Sequence, residues 1–351
     1  MRVVVVGATG NVGMSVIDAL IPEPAITSIV GVCRRPPSVE LPKVRWQAAD
    51  IAVDALDDVV AGADAIVDLA WKIQPQRDEA AMLRTNVVGT MRLFHAAARA
   101  GVPAFIYASS VGTYAPGPKS PHVDESWDHS GVPTSVYSRH KAAVEALLDD
   151  AETDTTMRVV RMRTSLVFKA QASSEIGRLF FGPLIPRRLM RPGRVPFVPR
   201  TPNLTFQATH ASDIADAYKA AVLRDVRGAF NIAAEPVIDP FLLARVLNAR
   251  SVRVPGPVLR AVVAAAWHAR AVPIEPGWID LGLRTPLMRT DRARAELEWR
   301  PRHSSTDALR ELFEGLAVKS GGPTPPLEPS LGGAEILPAN AFGADSGHAF
   351  R

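Results

Sequence analysis

Cysteine is almost absent from this chain of 351 residues, since Cys33 is the only one. No internal disulfide can form, and nothing in the cysteine content indicates an oxidising compartment. Long apolar runs are missing too. The most apolar helical pattern, residues 257–272, is interrupted by arginine and histidine side chains and is too short to cross a bilayer. An ordinary buried helix is expected there, with a pocket wall and a subunit contact as the alternatives.

An excess of charge of one sign is also lacking. The 40 basic and 36 acidic residues give a formal net charge of only +4, and no long basic run occurs, so a nucleic-acid partner is not expected. The eight histidines show no paired ligand spacing, so no metal site is predicted. The first apolar run is strand-like and breaks at Gly7, which is unlike a secretory leader. The sequence therefore predicts a cytoplasmic protein without a membrane partner.

What the chain does have is a glycine-rich turn close to its first residue. Residues 2–13 read RVVVVGATGNVG, a valine run typical of a strand buried on both faces, followed by glycines and a helical pattern. Free N–H groups at the start of such a helix bind a diphosphate, and the missing Cβ atoms let the backbone approach it. The alternative is a tight turn without a ligand. The context favours a dinucleotide site formed by Gly7, Thr9, Gly10, Asn11, Val12 and Gly13.

The second predicted strand, residues 28–33, is followed by Arg34 and Arg35. In a doubly wound sheet this position lies beside the adenosine ribose. There an acidic residue binds a free 2′-hydroxyl, whereas an arginine accommodates a 2′-phosphate. No acidic residue occurs in positions 26–39, so the sequence favours NADP as the cofactor. NAD is the alternative, in which case both arginines are ordinary exposed loop residues.

Strand and helix patterns alternate through the first half of the chain. Strands are predicted at residues 44–50, 63–70 and 102–109, and a long helical segment over residues 77–100. Strands that alternate with helices of this length are typical of a parallel sheet covered on both faces. The predicted fold class is therefore α/β, a doubly wound parallel sheet.

Tyr137 and Lys141 are four residues apart in the helical pattern VYSRHKAAVEALL, so their side chains share one face. An ammonium near a phenol stabilises the phenolate, and we expect Lys141 to draw the pKa of Tyr137 from about 10 toward neutrality. Tyr137 is then a candidate proton donor and acceptor. Ser110 follows a buried strand and lies at the edge where open α/β sheets bind ligands. The alternative is an exposed aromatic beside an exposed lysine; His140 points off the shared face and is expected at the surface.

These features are accompanied by further motifs in a fixed order. The motifs are GATGNVG (7–13), DI (50–51), VDLA (67–70), TNVVGT (85–90), YASSVGTY (107–114), YSRHK (137–141), RMRTSLVF (161–168), THASDIADA (209–217), GAFNIA (228–233) and DRARAELEWRP (291–301). From residue 1 to about 315 the sequence resembles the extended short-chain dehydrogenase/reductase family, which includes NAD(P)-dependent epimerases, dehydratases and reductases. The resemblance implies a Rossmann sheet with a smaller C-terminal substrate-binding domain.

The resemblance also implies roles for individual residues. Ser110 would hydrogen-bond the substrate oxygen, Tyr137 would exchange its proton, and Lys141 would hold the nicotinamide ribose. Asn86 matches the family's asparagine beside the active site. The remaining cofactor contacts would fall on Asp50, Ile51, Leu69, Ala70, Trp71, Thr164 and Ser165.

The chain departs from the family pattern at the border between cofactor and substrate. Asp68 stands where the family often has histidine, Trp71 where it has a small residue, and Thr164 where many members have proline. Nucleotide-sugar enzymes of the family commonly carry an arginine before the stretch that matches residues 209–217. Here that approach reads NLTFQ (203–207), which argues against a UDP-sugar substrate.

Three parts of the chain are expected to differ in role. Residues 1–164 would mainly form the dinucleotide-binding domain, and residues 165–315 mainly the smaller substrate domain, interleaved with the first. Residues 316–351 are rich in Gly, Pro and Ser and are predicted to form a flexible tail. A homodimer is expected from the resemblance, because family members often pair through helices that correspond to residues 77–100 and 137–150.

Residues 178–200 mix proline, glycine, arginine and bulky apolar side chains, a composition that suits a mobile lid. Its arginines would either bind an anionic substrate or, as we favour, form a solvated basic loop. They include Arg187, Arg188, Arg191 and Arg194. His210 and Asp213 match a family motif, but we expect them to pack and to fix the start of a helix.

The leading hypothesis is an NADP-preferring oxidoreductase that moves hydride to or from a carbonyl or alcohol carbon of a small molecule, with Tyr137 as acid and base. The first alternative is a nucleotide-sugar epimerase or dehydratase with tightly bound NAD. The second is a dinucleotide-binding regulatory protein without turnover.

Overall fold

A computed structural model describes residues 1–74, 77–181 and 191–329 of the chain. The strands are β1 (Arg2–Val6), β2 (Ser28–Cys33), β3 (Val44–Ala48), β4 (Ala65–Asp68), β5 (Ala104–Tyr107), β6 (Arg158–Thr164), β7 (Leu166–Phe168), β8 (Phe197–Arg200), β9 (Ala208–His210), β10 (Gly228–Ile232) and β11 (Arg250–Arg253). Seven of them form one parallel sheet in the order β10-β6-β5-β4-β1-β2-β3.

Helices connect most of these strands. The α-helices are α1 (Asn11–Leu20), α2 (Asp57–Val60), α3 (Glu79–Leu83), α4 (Thr90–Arg99), α5 (Val136–Ala151), α6 (Ser173–Ile176), α7 (Ala211–Leu223), α8 (Pro240–Val246), α9 (Gly256–His268), α10 (Gly277–Arg284), α11 (Asp291–Glu296) and α12 (Ser305–Val318). The described part of the chain contains no helix with the length and hydropathy of a membrane-spanning segment.

The valine run of β1 shows why the sheet is covered on both faces. Val3 and Val5 belong to the apolar cluster on one side of the sheet, while Val4 and Val6 belong to the cluster on the other. Successive side chains of a strand point to opposite faces, so a strand with apolar residues at every position is stable only between two layers. The predicted doubly wound α/β sheet is therefore confirmed.

The second half of the chain adds a strand to the large sheet and also forms separate two-stranded ladders. Strand β10 adds an edge to the large sheet beside β6, whereas β8 pairs with β11 and β7 with β9 in separate two-stranded ladders. A further apolar cluster joins β8, α8 and α12 and is distinct from the two clusters that flank the sheet. The second half of the chain therefore adds one strand to the large sheet and forms a separate apolar cluster.

The long helix predicted over residues 77–100 consists of three segments. A π-helical segment, Arg84–Gly89, separates α3 from α4. Insertions of this kind interrupt the regular helical register and are frequent at functional sites. Here the insertion contains Asn86, which is completely buried.

The predicted flexible tail is wrong for the residues that the structure describes. Helix α12 continues to Val318, and the following segment packs back on the glycine turn, with the Thr324 hydroxyl donating to the carbonyl oxygen of Thr9 at 2.7 Å. Leu327 is only 1 % exposed because Met14 and its apolar neighbours cover it. Proline and glycine here shape a buried turn rather than a free end; residues 330–351 lie outside the described part.

Two further expectations for the second half need correction. Helix α9, expected to be buried, contains no buried residue, and Val258 and Val262 are 50 % and 61 % exposed. Within the predicted lid, Arg187 and Arg188 lie outside the described residues. Among the described ones, residues 197–200 are the paired strand β8, so this portion is part of a ladder. Arg191 donates to the carbonyl oxygen of Ala317 at 3.2 Å, and Arg194 is exposed.

Candidate active site

The glycine turn between β1 and α1 requires glycine for close backbone packing. Gly7 has a φ of +78°, and a Cβ there would lie 2.7 Å from the carbonyl carbon of Leu69. A Cβ on Gly13 would lie 2.4 Å from the carbonyl oxygen of Gly7. A Cβ on Gly10 would meet nothing closer than 3.7 Å, so the space in front of the helix is open. The turn therefore brings the predicted Leu69 and Ala70 against the strand end and leaves a cradle beside Gly10.

The start of α1 is equipped to bind an anion. Gly10 occupies the N-cap position and offers no side chain to the first-turn N–H groups. The Asn11 backbone N–H donates to the carboxylate of Glu175, while the Asn11 side chain donates to the carbonyl oxygen of Val167 at 3.0 Å. Val12 is half-buried beside the cluster that covers the sheet. A carboxylate already uses this helix end, so the residues fit the diphosphate of a dinucleotide.

Glu175 is the titratable group at this helix end. Burial raises the pKa of its carboxyl to about 7, and Arg178, the Asn11 N–H and Lys169 lower it. Its charge therefore changes near neutral pH, directly beside the predicted diphosphate site.

The adenosine end of the predicted cofactor site is exposed. Arg34 and Arg35 follow β2 directly and are both exposed. The Asp50 carboxylate accepts a bond from the Ala52 N–H at 2.9 Å and so shapes its own turn. Ile51 is 3 % exposed, and its carbonyl oxygen accepts a bond from Arg92. The structure therefore places these residues together at the end of the sheet predicted for the adenosine.

Tyr137 and Ser110 meet at the carboxyl ends of the central strands. They share a hydrogen bond, and the Ser110 hydroxyl oxygen also accepts the Gly112 N–H at 3.0 Å. A Cβ on Gly112 would lie 2.8 Å from the Tyr137 ring, so glycine is needed for this approach. The sequence prediction did not include Gly112, although it lies within the YASSVGTY motif.

The predicted lowering of the Tyr137 pKa is wrong for this structure. Burial raises the pKa of the phenol to about 12, and the bond with Ser110 lowers it only in part. The Lys141 ammonium does not face the hydroxyl. It donates to the carbonyl oxygen of Ala108 and lies 3.4 Å from the centre of the Trp71 ring, but 5.9 Å from the centre of the Tyr137 ring.

Lys141 itself is buried at 3 % exposure, and burial lowers the pKa of its ammonium to about 7. The carboxylates of Asp68 and Glu145 oppose this shift. Asp68, at the end of β4, is 1 % exposed; burial raises the pKa of its carboxyl to about 6, and the Ala70 N–H, which donates at 3.1 Å, lowers it. A buried cation with a buried acid nearby is thus built into the site.

Asn86 does not contact Tyr137 through any bond in the structure's described residues. Its side-chain oxygen accepts the Lys72 N–H at 2.7 Å, and its side-chain nitrogen donates to the Lys72 carbonyl oxygen at 2.9 Å. Both ends of the amide are therefore used to fix the loop that carries Trp71. This contact makes Asn86 a positioning residue for the loop.

Thr164 and Ser165 end β6 beside the site. Thr164 forms a parallel bridge with Ser110, and the Ser165 hydroxyl lies 2.8 Å from that of Thr209. Both residues are buried, at 9 % and 5 % exposure. They hold the strand end next to Ser110, where the nicotinamide end was predicted.

Three other polar residues near these elements have structural surroundings. His210 caps α7 by accepting the Ser212 N–H, and the Asp213 carboxylate accepts the backbone N–H groups of Arg302 and His303. These contacts fit the expected structural roles. His140, expected at the surface, is instead only 4 % exposed; the π-helical segment packs on α5, and Glu79 of α3 lies 3.9 Å from the His140 ring nitrogen.

The surroundings of Tyr137 are aromatic, and the sequence analysis did not predict most of these contacts. The Trp278 ring lies 5.0 Å from the Tyr137 ring, the Trp71 ring 5.9 Å from it, and the Phe180 ring 5.0 Å from that of Trp278. We call these four residues the aromatic wall: Trp71, Tyr137, Phe180 and Trp278. No local sequence signal links α10 or residue 180 to Tyr137, whereas the unusual Trp71 was visible as a departure.

A cavity of about 510 Å³ lies elsewhere, between α1, α7 and the segment that contains Leu327. Its lining includes Lys169 and Asp18 but none of Ser110, Tyr137 and Lys141. In residues 1–74, 77–181 and 191–329, no three His, Cys, Asp or Glu side chains are grouped to hold a metal ion.

Comparison with known proteins identifies the chain's relatives. The model of the NAD dependent epimerase/dehydratase family matches residues 3–233. The chain belongs to the NAD-dependent epimerase/dehydratase family. The resemblance to extended short-chain dehydrogenases/reductases is thereby confirmed, and the chain is placed in a family of NAD-dependent enzymes.

Similarity to individual members of the epimerase/dehydratase family is partial. The chain is 35% identical over 145 residues to a UDP-glucose 4-epimerase of Rhizobium leguminosarum bv. trifolii, covering 39% of this chain and 42% of that protein. It is 30% identical over 166 residues to a dTDP-glucose 4,6-dehydratase of Streptomyces niveus, covering 42% and 48%. The matches thus span less than half the length of these curated relatives.

A solved structure agrees with the fold over most of the chain. A short-chain dehydrogenase/reductase superfamily protein of Agrobacterium tumefaciens with bound NAD has a TM-score of 0.67 and 22% identity, covering 90% of this chain and 97% of that one. At this identity the likeness is one of fold.

Proposed function

We propose that this member of the epimerase/dehydratase family is an oxidoreductase that interconverts a carbonyl and an alcohol, using an exchangeable NADP. The observation that carries the proposal is the meeting of Tyr137, Ser110 and the buried Lys141 at the carboxyl edge of the sheet, with an anion-binding turn on the same edge. Ligands of open α/β sheets bind at this edge.

The residues have separable tasks in this mechanism. The Ser110 hydroxyl, already hydrogen-bonded to the phenol, is placed to donate to a substrate oxygen that enters between them. The Tyr137 hydroxyl donates its proton to a carbonyl oxygen, or takes it from an alcohol. Lys141 supplies positive charge near the reacting groups, and Asp68 and Glu145 favour its protonated form.

The dinucleotide would be held by the glycine turn at its diphosphate, by Leu69, Ala70 and Thr164 nearer the nicotinamide, and by Arg34 and Arg35 at a 2′-phosphate. When bound, it supplies or accepts the hydride. Burial keeps the pKa of Tyr137 at about 12 in the protein alone, so the phenol is protonated at neutral pH and suited to donate. A carbonyl reduction uses that protonation state directly.

A nucleotide-sugar epimerase or dehydratase with retained NAD is the second candidate. It is favoured by the relatives, which are a UDP-glucose 4-epimerase and a dTDP-glucose 4,6-dehydratase. Against it, the approach to α7 carries no arginine, and Gln207 is committed to bonds with Glu235 and Met288.

The two candidates differ in whether the cofactor leaves. Freshly purified protein is denatured, and the released dinucleotide is quantified by mass; the refolded or untreated protein is then titrated with NADPH and NADH. We expect little retained dinucleotide and tighter binding of NADPH. Stoichiometric NAD in the denatured sample contradicts the exchange of cofactor and favours the epimerase or dehydratase.

We also propose a homodimer formed through α3, the π-helical segment and α5. Leu83, Val88 and Leu147 are 43 %, 47 % and 41 % exposed on these elements, and a second copy of the chain would cover them. Leu147→Glu is expected to convert the dimer to a monomer in size-exclusion chromatography with light scattering. Leu223→Glu, at an exposed leucine on α7, is the control; a monomeric parent protein contradicts the proposal.

A further inference from the structure

The two indole N–H groups of the aromatic wall are buried without hydrogen-bond partners among the described residues. They are Nε1 of Trp71 and Nε1 of Trp278, on either side of Tyr137. A buried donor without a partner costs stability, and buried tryptophan N–H groups usually have one. Two such donors beside the proposed acid residue point to acceptor atoms that a ligand brings.

The wall is held in place by backbone contacts. Gly277 begins α10 so close to α5 that a Cβ would lie 2.4 Å from the carbonyl oxygen of Thr134, and Glu275 accepts the Val136 N–H at 2.9 Å. Trp278 is thereby pressed onto Tyr137. These contacts fix the indole as a rigid surface rather than a loose surface side chain.

The loop of Trp71 is tied to the same part of the molecule. Gln74 donates to the carbonyl oxygen of Leu179 at 2.9 Å and to that of Pro273 at 3.0 Å. The segment before α10, a second π-helical segment Gly177–Phe181 and the loop after β4 are therefore joined beside the aromatic wall.

Besides the Lys141 ammonium near Trp71, two arginines on α5 and α9 are engaged by carboxylates. Arg139 is paired with Glu79 at 2.6 Å, and Arg260 is paired with Asp280 at 2.9 Å. The Glu275 carboxyl accepts the Val136 N–H at 2.9 Å, and burial raises its pKa. A flat, uncharged ligand gains from ring stacking on the indole.

We propose that the substrate of this site is an uncharged, flat, ring-containing ketone or alcohol that stacks on Trp278 and accepts a hydrogen bond from an indole N–H. The proposal rests on the proposed function and names its substrate class. In the reducing direction the carbonyl carbon gains a hydride from a reduced nicotinamide dinucleotide, and the carbonyl oxygen gains the proton of Tyr137. The products are the alcohol and the oxidised dinucleotide.

The test compares 2-tetralone with UDP-glucose. Reduction of 2-tetralone by NADPH is measured for the full chain, and binding of 2-tetralol is measured by calorimetry without dinucleotide. The variant Trp278→Ala is expected to raise KM and the Kd of 2-tetralol about tenfold with little change in kcat, as loss of ring stacking and a hydrogen bond predicts. Trp278→Phe keeps a ring but has no N–H, so its KM and Kd are expected to lie between those of the parent protein and Trp278→Ala.

Trp267→Ala is the matched control, because Trp267 lies in α9, contacts the Arg77 guanidinium and is not in the aromatic wall. It is expected to leave KM and Kd unchanged. Three results would each overturn the proposed substrate class. They are epimerisation of UDP-glucose, an unchanged 2-tetralol Kd in Trp278→Ala, and binding of NADPH without reduction of 2-tetralone. The proposed function fails separately, by absent NADPH binding or by full activity of Tyr137→Phe.

Discussion

The two ends of the candidate site are built in different ways. The diphosphate end is a backbone structure from one short stretch, in which Gly7 and Gly13 are needed for close packing and Gly10 leaves open space. The substrate end is a side-chain structure in which Trp71, Tyr137 and Trp278 come from three distant segments. The first end is common to many dinucleotide enzymes, whereas we propose that the second determines what this chain acts on.

The largest expected effect is that of replacing Tyr137, the proposed proton donor, because it should change kcat and leave dinucleotide binding intact. Tyr137→Phe removes the proton donor but retains the ring that contacts both indoles. We expect kcat to fall by about 10²–10⁴-fold, the usual contribution of a general acid, with dinucleotide Kd within about threefold of the parent. Steady-state kinetics and calorimetry measure the two quantities. A parallel loss of dinucleotide affinity would show that the two ends are not independent.

Glycine substitutions sharpen the comparison within the diphosphate end. Gly13→Ala places a Cβ 2.4 Å from the Gly7 oxygen, so we expect a loss of about 1–3 kcal/mol in the free energy of unfolding. Gly10→Ala meets no close atom, so stability is expected to hold while dinucleotide affinity falls about tenfold. Thermal unfolding and calorimetry distinguish these outcomes. Equal destabilisation by both variants contradicts the cradle beside Gly10.

The choice of cofactor is expected to depend on the exposed arginines after β2. Replacing Arg34 and Arg35 by serine should weaken NADPH binding about tenfold, the scale of one charge-assisted hydrogen bond, and leave NADH binding unchanged. Fluorescence titration with each dinucleotide measures both values. Arg45→Ser, at an exposed arginine within β3, is the control. An equal loss for both dinucleotides would remove the argument for NADP.

A smaller effect is expected from the carboxylate at the start of α1. Burial raises the pKa of Glu175 to about 7, so the group is mainly neutral at pH 6 and mainly charged at pH 8. The charged form competes with the diphosphate for the Asn11 N–H, and dinucleotide affinity should fall about threefold to tenfold over this range. Glu175→Gln should flatten the dependence. If dinucleotide affinity still falls with pH in this variant, a group other than Glu175 is responsible.

The same contrast explains how much could be predicted from the sequence. The valine run, the glycine turn and the alternation of elements are local patterns, and they predicted β1, α1 and the parallel sheet. Ser110 was predicted at the carboxyl edge, the family resemblance assigned Tyr137 to the same substrate oxygen, and the two share a hydrogen bond. The family motifs added residues such as Asn86, whose side chain bonds to backbone atoms of Lys72.

The remaining parts depend on contacts between distant residues. Trp278 reaches Tyr137 only because Gly277 packs against the start of α5, which no periodicity in α10 indicates. The Lys141 ammonium donates to the Ala108 carbonyl oxygen and lies over the Trp71 ring, so burial rather than the ammonium sets the pKa of Tyr137. The segment with Leu327 was predicted to be flexible from composition, yet Met14 and Trp46 provide an apolar surface for it.

Transfer of deuterium tests the central claim most directly. The full chain is given NADPH in which both hydrogens at C4 of the nicotinamide are replaced by deuterium, together with 2-tetralone, and the alcohol is analysed by mass spectrometry. The account predicts a product with one deuterium at the former carbonyl carbon, formed in step with NADP and about 10²–10⁴-fold more slowly by Tyr137→Phe. An unlabelled product, or equal labelling rates in the two proteins, would contradict hydride transfer assisted by Tyr137.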